Sequence, residues 1–176
     1  MSSVNQTYRV LLDTTKGPVT IEVDSSLAPN GARHFYDLVK AGYFDGARFY
    51  RVVPNFVVQW GAAANPAVTQ KWSVTIPDDP VKTSNTRGTV AFAATGQPNS
   101  RTTHVFINLG DNGRLDTMGF APIGRVVSGM NHVDAIYSGY GERPDQNLIA
   151  AQGNAYLEKQ FPRLDYIKTA RVTSGS

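Results

Sequence analysis

The chain has 176 residues, a formal net charge of +3, 41% hydrophobic and 18% charged residues, and no cysteine. That length fits one domain able to bury a core of its own, and the composition excludes widespread disorder. The missing cysteines exclude a disulfide scaffold, a thiol nucleophile and a thiolate zinc site, and no apolar run approaches the roughly 18 residues of a membrane-spanning helix.

Alternation comes first along the chain. Tyr8, Val10 and Leu12 alternate with Arg9, Leu11 and Asp13, and after Lys16-Gly17-Pro18, Val19, Ile21 and Val23 alternate with Thr20, Glu22 and Asp24. This pattern predicts a β-hairpin with one buried face. Pro29 then opens a helix in which Phe35, Leu38 and Val39 share a face, and Gly42 is placed to end it. Strands are predicted over 48–53, 56–60, 71–76, 89–94, 104–109, 120–127 and 167–173, with short helices near 129–137 and 146–160. Strands outnumber helices without regular alternation, so a parallel α/β sheet is not expected. An antiparallel sheet of about eight or nine strands closes into a barrel or splits into a sandwich.

Several chemistries lack their residues. There is no Gly-x-Ser-x-Gly elbow, no phosphate loop and no His-Glu-x-x-His. His34, His104 and His132 lie far apart with no carboxylate spacing suited to a metal, so no metal site and no cofactor is expected. Lys and Arg are scattered, which argues against a nucleic-acid partner. What remains is chemistry that needs only binding and polarisation.

Two segments stand out. Within Ala47–Gly61, Arg51 and Gln59 each sit in an otherwise apolar stretch. Burying either group costs free energy unless it is hydrogen-bonded. Periodicity alone favours a snorkelling arginine and an edge-strand amide, with a functional pair as the other reading. In the strand from His104, Val105, Ile107 and Leu109 share one face, and His104, Phe106 and Asn108 the other. If the aliphatic face fills a barrel, Phe106 and His104 point outward as a binding floor; the plain alternative is an ordinary exposed aromatic.

Together these segments resemble the cyclophilin family of peptidyl-prolyl isomerases. Phe49-Tyr-Arg-Val-Val-Pro-Asn-Phe-Val-Val-Gln59 is similar to the family's Phe-His-Arg-Ile-Ile-Pro-Gly-Phe-Met-x-Gln signature, and Val105-Phe106-Ile107-Asn108 to its Gln-Phe-Phe-Ile segment. Leu115-Asp116, the run Gly124–Met130 and the C-terminal segments 152–157 and 161–167 extend the resemblance from about Arg9 to Val172, the last two resembling bacterial-type members. The resemblance implies a mainly β fold, a closed eight-stranded antiparallel barrel capped by two or three helices. It implies a single barrel domain over 8–173, with a flexible N-terminal tail at 1–7 and a C-terminal tail at 174–176. It also implies catalysis of rotation about Xaa-Pro bonds in unfolded or exposed protein segments.

Carried over by position, Arg51 is the catalytic arginine, hydrogen-bonding the prolyl nitrogen of the twisted bond. Gln59 holds substrate backbone. Phe56, Val57, Phe106 and Leu115 line the proline pocket, and Ala93 borders it. There are departures. Val57 stands where the family usually has Met, Ala94 where it often has Asn, His104 where it has Gln, Arg114 at a frequent Trp position and Phe120 at a frequent His position. Phe120 should deepen the apolar pocket, and Arg114 should weaken cyclosporin binding more than catalysis. The resemblance implies a monomer whose partners are Xaa-Pro polypeptides.

Two other readings compete. Ala94, His104 and Arg114 alter the groove rim, which favours a non-catalytic proline-peptide-binding module on the same fold. A small-ligand carrier is disfavoured because large residues, Leu11, Val105, Ile107 and Leu109, are expected to fill the interior. The N-terminal residues show no basic segment followed by an apolar stretch. That reads as cytoplasmic, or as periplasmic if a leader has been removed.

Overall fold

The first hairpin forms where the alternation places it: β1 (Thr7–Thr14) pairs antiparallel with β2 (Gly17–Asp24), in a computed structural model that describes residues 7–175. Val10, Leu12, Val19, Ile21 and Val23 are fully buried, whereas Leu11 lies on the half-buried outer face rather than in the interior. Thr14 pairs with Gly17, so the turn is made by Thr15 and Lys16.

Six further strands follow: β3 (Arg51–Val53), β4 (Val57–Trp60), β5 (Thr89–Phe92), β6 (Val105–Asn108), β7 (Pro122–Ser128) and β8 (Ile167–Gly175). They form one strongly curled antiparallel sheet in the order β3-β4-β6-β5-β7-β2-β1-β8. Its inner face packs Val52, Val58, Trp60, Val90, Phe92, Val105 and Ile107 into the main core, leaving the outer faces of the same strands free to build a site.

The sheet is open, which corrects the expectation of a closed barrel. No ladder joins β3 to β8. Instead the chain just before β3 is stitched to the start of β8 by Gly46 N–H to Ile167 O, Ile167 N–H to Ala47 O and Phe49 N–H to Asp165 O, with one isolated bridge between Arg48 and Tyr166. Beyond that stitch, the free edge of β3 takes a different partner: Val52 N–H donates to Gly141 O in the 138–143 loop at 3.3 Å.

Among the described residues six helices, not two or three, surround the sheet: α1 (Pro29–Lys40), α2 (Pro66–Lys71), α3 (Arg114–Thr117), α4 (Met130–Asp134), α5 (Gln146–Gln152) and α6 (Asn154–Gln160). The amphipathic α1 buries Phe35, Leu38 and Val39 against the core. Where a strand is expected over 71–76, Lys71 instead ends α2, a helix started by Pro66 in its first turn and by Asn65 capping Ala67 N–H, and residues 73–75 form no regular element. Of that segment, Ile76 makes one isolated bridge, to Arg101, outside the eight strands. The single helix expected over 146–160 is two, broken at Gly153, whose φ of +62° and 2.6 Å approach of a notional Cβ to Ala64 O admit only glycine. Of the expected tails, residues 1–6 and Ser176 lie outside the described residues; Thr7 belongs to β1, and Ser174 and Gly175 to β8.

Candidate active site

Strand register assembles the site. Arg51 pairs with Gln59 across β3 and β4, Gln59 with Phe106 across β4 and β6, and Phe106 with Ala91 across β6 and β5. Directly opposed residues share a face, so one outward-facing row crosses four strands and joins a cation, an amide and an aromatic ring. Val57, two residues from Gln59, lies on the same face.

Beyond Phe106 the row meets the loop that carries α3. Val57, Ala91, Phe106 and Leu115 form a small outer cluster, with Phe56, Ala93 and Phe120 packed around it. The Phe106 and Phe120 rings meet edge to face at 5.7 Å. All of these but Ala91 line a surface cavity of about 260 Å³, also lined by Arg51, Gln59, Ala94, His104, Thr95, Ser100, Thr102 and Gln146. Ten of the eleven positions singled out from the sequence therefore share one cavity. The eleventh, Arg114, stands at its rim with its guanidinium 4.9 Å above the Phe56 ring.

The polar end is a continuous run of hydrogen bonds. Arg51 Nη1–H donates to Gln59 Oε1 at 3.2 Å, and Gln59 Nε2–H donates to the Tyr50 hydroxyl at 2.6 Å. The Tyr50 hydroxyl lies 2.7 Å from His104 Nδ1. Burial pulls the His104 imidazole down to about 4, so it is neutral at pH 7. With Nδ1 accepting from Tyr50 and the ring proton on Nε2, the run has one direction: Arg51 donates to Gln59, Gln59 to Tyr50 and Tyr50 to His104. Burial also raises the Tyr50 hydroxyl far above the ordinary phenol range, keeping it protonated and able to donate. His104 approaches β4 closely because residue 61 is glycine: at its φ of +155° a Cβ would come within 2.3 Å of His104 Cα.

The guanidinium of Arg51 has a second partner. Its Nε–H donates to Glu142 Oε2 at 2.7 Å, and its Nη2 lies 2.5 Å from the same oxygen. The Arg51 side chain is 27% exposed, so it neither points into bulk water nor is fully enclosed. Its carbon centre lies 5.6 Å from the Phe56 ring centroid, which sets the cation against the apolar wall.

Beneath the pocket, buried amides hold the wall in place. Asp116 accepts from Ser84 Oγ–H at 2.6 Å and from both Asn85 N–H and Asn85 Nδ2–H at 2.8 Å, bonds that keep its carboxyl below the ordinary carboxylate range. Asn85 Nδ2–H also donates to Phe120 O, and Asn112 Nδ2–H to Asn108 Oδ1 and Phe56 O. The wall residues Leu115, Phe120 and Phe56 are thus tied to one network. Tyr50, Glu142 and Gln146 are site residues that sequence reasoning missed. Tyr50 adjoins Arg51 inside the quoted signature, while Glu142 is 91 residues from Arg51 with nothing local to mark it.

Against known proteins, the chain matches the family model described as cyclophilin type peptidyl-prolyl cis-trans isomerase/CLD over residues 9–152. It is 37% identical over 137 residues to a protein named peptidyl-prolyl cis-trans isomerase A from Dickeya dadantii, covering 72% of this chain and 70% of that one. It is 32% identical over 171 residues to peptidyl-prolyl cis-trans isomerase B of Escherichia coli, covering 90% and 94%. Among solved structures, a Cryptosporidium parvum cyclophilin-type isomerase superposes with a TM-score of 0.69 at 20% identity, covering 96% of this chain and 98% of that chain. The cyclophilin AquaCyp293 from Hirschia baltica superposes with 0.70 at 18% identity, covering 94% and 76%. Those two likenesses bear on the fold.

Proposed function

The chain belongs to the cyclophilin-type peptidyl-prolyl cis-trans isomerases, and on that premise we propose that Arg51 drives bond rotation from the edge of the apolar cavity. The observation that carries the proposal is the shared row: a guanidinium and an aromatic pocket floor on one face of the sheet, with Gln59 between them.

A peptide C–N bond resists rotation because the nitrogen lone pair is delocalised into the carbonyl, with a barrier of about 18–20 kcal/mol. Ahead of proline the cis form costs only about 0.5–1 kcal/mol, so both isomers are populated and their exchange is slow. Rotation breaks no covalent bond, so it requires no nucleophile and no base. In the twisted state the lone pair is localised on the prolyl nitrogen and accepts a hydrogen bond; in the planar state it does not. A donor at that nitrogen therefore stabilises the transition state selectively, which is the condition for raising turnover.

The parts divide the work. Phe56, Val57, Phe106, Leu115 and Phe120 take the proline ring, and their low polarity favours the twisted, less dipolar amide over the planar one. Arg51 supplies the N–H donor beside that pocket. Gln59 holds a substrate carbonyl or amide while the other side of the bond turns. Neutral His104, with Ala93 and Ala94 nearby, borders the segment preceding proline. The substrate class is Xaa-Pro segments of exposed polypeptide; a structure of the Cryptosporidium parvum relative was determined in the presence of the dipeptide Ala-Pro.

The test is exchange spectroscopy on an Xaa-Pro tetrapeptide with catalytic amounts of protein. Accelerated cis–trans exchange is expected. Chemical-shift perturbation at the groove without acceleration would replace the enzymatic reading with that of a peptide-binding module.

A further inference from the structure

We infer that Glu142 is a positioning residue for Arg51, holding the guanidinium at the aim that the reaction needs; the inference rests on the isomerase reading above. The guanidinium has five N–H donors. Glu142 Oε2 takes Nε–H and one Nη2–H along one edge, and Gln59 Oε1 takes one Nη1–H at the other end. One N–H on each terminal nitrogen is left over, and these are the donors available to substrate. A planar group held at both ends has a fixed plane. Gln59 alone, through one bond of 3.2 Å, leaves that plane free to swing.

The carboxylate is itself held by the fold. Gly141, the residue before it, accepts from Val52 N–H, and Val52 follows Arg51 in β3, so the carboxylate and its target are registered against each other by a backbone bond one residue away from each. On the far side Arg143 N–H donates to Tyr140 O, the Arg143 guanidinium lies 5.6 Å from the Tyr140 ring, and Pro144 is buried. The Tyr140 ring packs edge to face on Phe161 at 5.0 Å and on Tyr137 at 5.2 Å, and its hydroxyl accepts from Arg163 N–H. The 138–143 loop is therefore braced by the chain that leads into β8. A loop braced on both sides of an acidic residue, with that residue turned back onto the active-site cation, is the arrangement expected of a part that aims another.

Glu142 acts through Arg51 and touches no substrate, so its contribution should be to kcat and not to ground-state binding. In Glu142→Ala, kcat on an Xaa-Pro tetrapeptide should fall about fivefold, the scale of a partly exposed charge pair. The peptide's Kd, read by NMR titration, should be unchanged. Glu142→Gln keeps one accepting oxygen and should recover part of the loss. In an Arg51→Ala background the same Glu142→Ala substitution should have no effect on kcat, because nothing is left to aim. Glu142 is 60% exposed on its side chain, so these variants are expected to fold. Three results would overturn the role: a kcat in Glu142→Ala equal to or above that of the unsubstituted protein, a loss carried by Kd, or an equal loss in the Arg51→Ala background. If the unsubstituted protein does not accelerate exchange at all, the isomerase reading falls together with it; normal turnover shared by Glu142→Ala removes only the positioning role.

Discussion

Replacing Arg51 by alanine separates catalysis from architecture in a single substitution. The structural losses are small and can be counted. The ion pair with Glu142 joins side chains 27% and 60% exposed, and such pairs contribute about 0–1 kcal/mol. The contact with the Phe56 ring at 5.6 Å adds about 0.5–1 kcal/mol at an exposed site. Gln59 Oε1 loses a donor but borders an open cavity where water replaces it. The fold should therefore lose no more than about 2 kcal/mol. The transition state loses far more. A preorganised donor aimed at developing electron density supplies about 2.7–4 kcal/mol, so kcat should fall about 100- to 1,000-fold. Peptide affinity should barely move, because the planar amide nitrogen offers Arg51 no lone pair. Exchange spectroscopy reads kcat, NMR titration reads affinity, and a urea melt checks the fold. A well-folded Arg51→Ala protein that keeps turnover within about threefold, or whose loss lies wholly in affinity, would refute the reasoning.

Other predictions follow from the site's construction. Phe106→Ala removes a ring that is 5% exposed on the pocket floor; stability should drop by about 3 kcal/mol, the low end for a buried phenylalanine because one side faces the cavity, and KM should rise. Thermal or urea unfolding and the substrate dependence of turnover check the two parts separately. His104 has its charged form disfavoured in the fold, with a value of about 4 against an ordinary 6.5. The unfolded chain thus binds the proton first as pH falls, so the stability contribution is complete above pH 6.5 and is lost progressively down to about 4, a total of roughly 3 kcal/mol. Urea midpoints between pH 7 and pH 4 should show this loss, and a His104→Gln variant should flatten it; turnover between pH 6 and 8 should carry no His104 step. Asn85→Ala strips the Asp116 carboxylate, Phe120 O and Asn108 of partners and should cost about 1–3 kcal/mol. Because that network braces the wall bearing Leu115 and Phe120, KM should rise with it.

How far the sequence could be read depended on the range of the signal. Period-two runs such as Val19-Thr20-Ile21-Glu22-Val23 specify a strand and its buried face within a few residues, and the hairpin, α1 and the outward placement of Phe106 follow from that. Short helices carry no such signal. α3 has four residues and α2 six, under two turns each, so no periodic stripe marks them. A count of strands also leaves undetermined whether the two edges of the sheet meet, and here a ladder between the edge strands β3 and β8 does not form. For the site, the identity of the residues was legible by resemblance, but their chemistry was not legible from periodicity, which favoured a snorkelling Arg51 and an edge-strand Gln59. What distinguishes those readings is register: Gln59 stands between Arg51 and Phe106 only once three strands are paired. Glu142 joins across 91 residues of chain, and no local pattern encodes that meeting.

The seam left where the two edge strands, β3 and β8, fail to zip together has a mechanical consequence. Three residues of β3 hold the reactive side chain, and their outer border rests on a segment contributed by the far end of the polypeptide, through Val52 and Gly141. Slack introduced there, by lengthening the stretch between Tyr137 and Pro144, would leave the hydrophobic interior untouched and the melting point nearly where it was. It would show up as a misdirected guanidinium, so turnover in this molecule can be tuned from a peripheral strap whose length has little bearing on whether the rest folds.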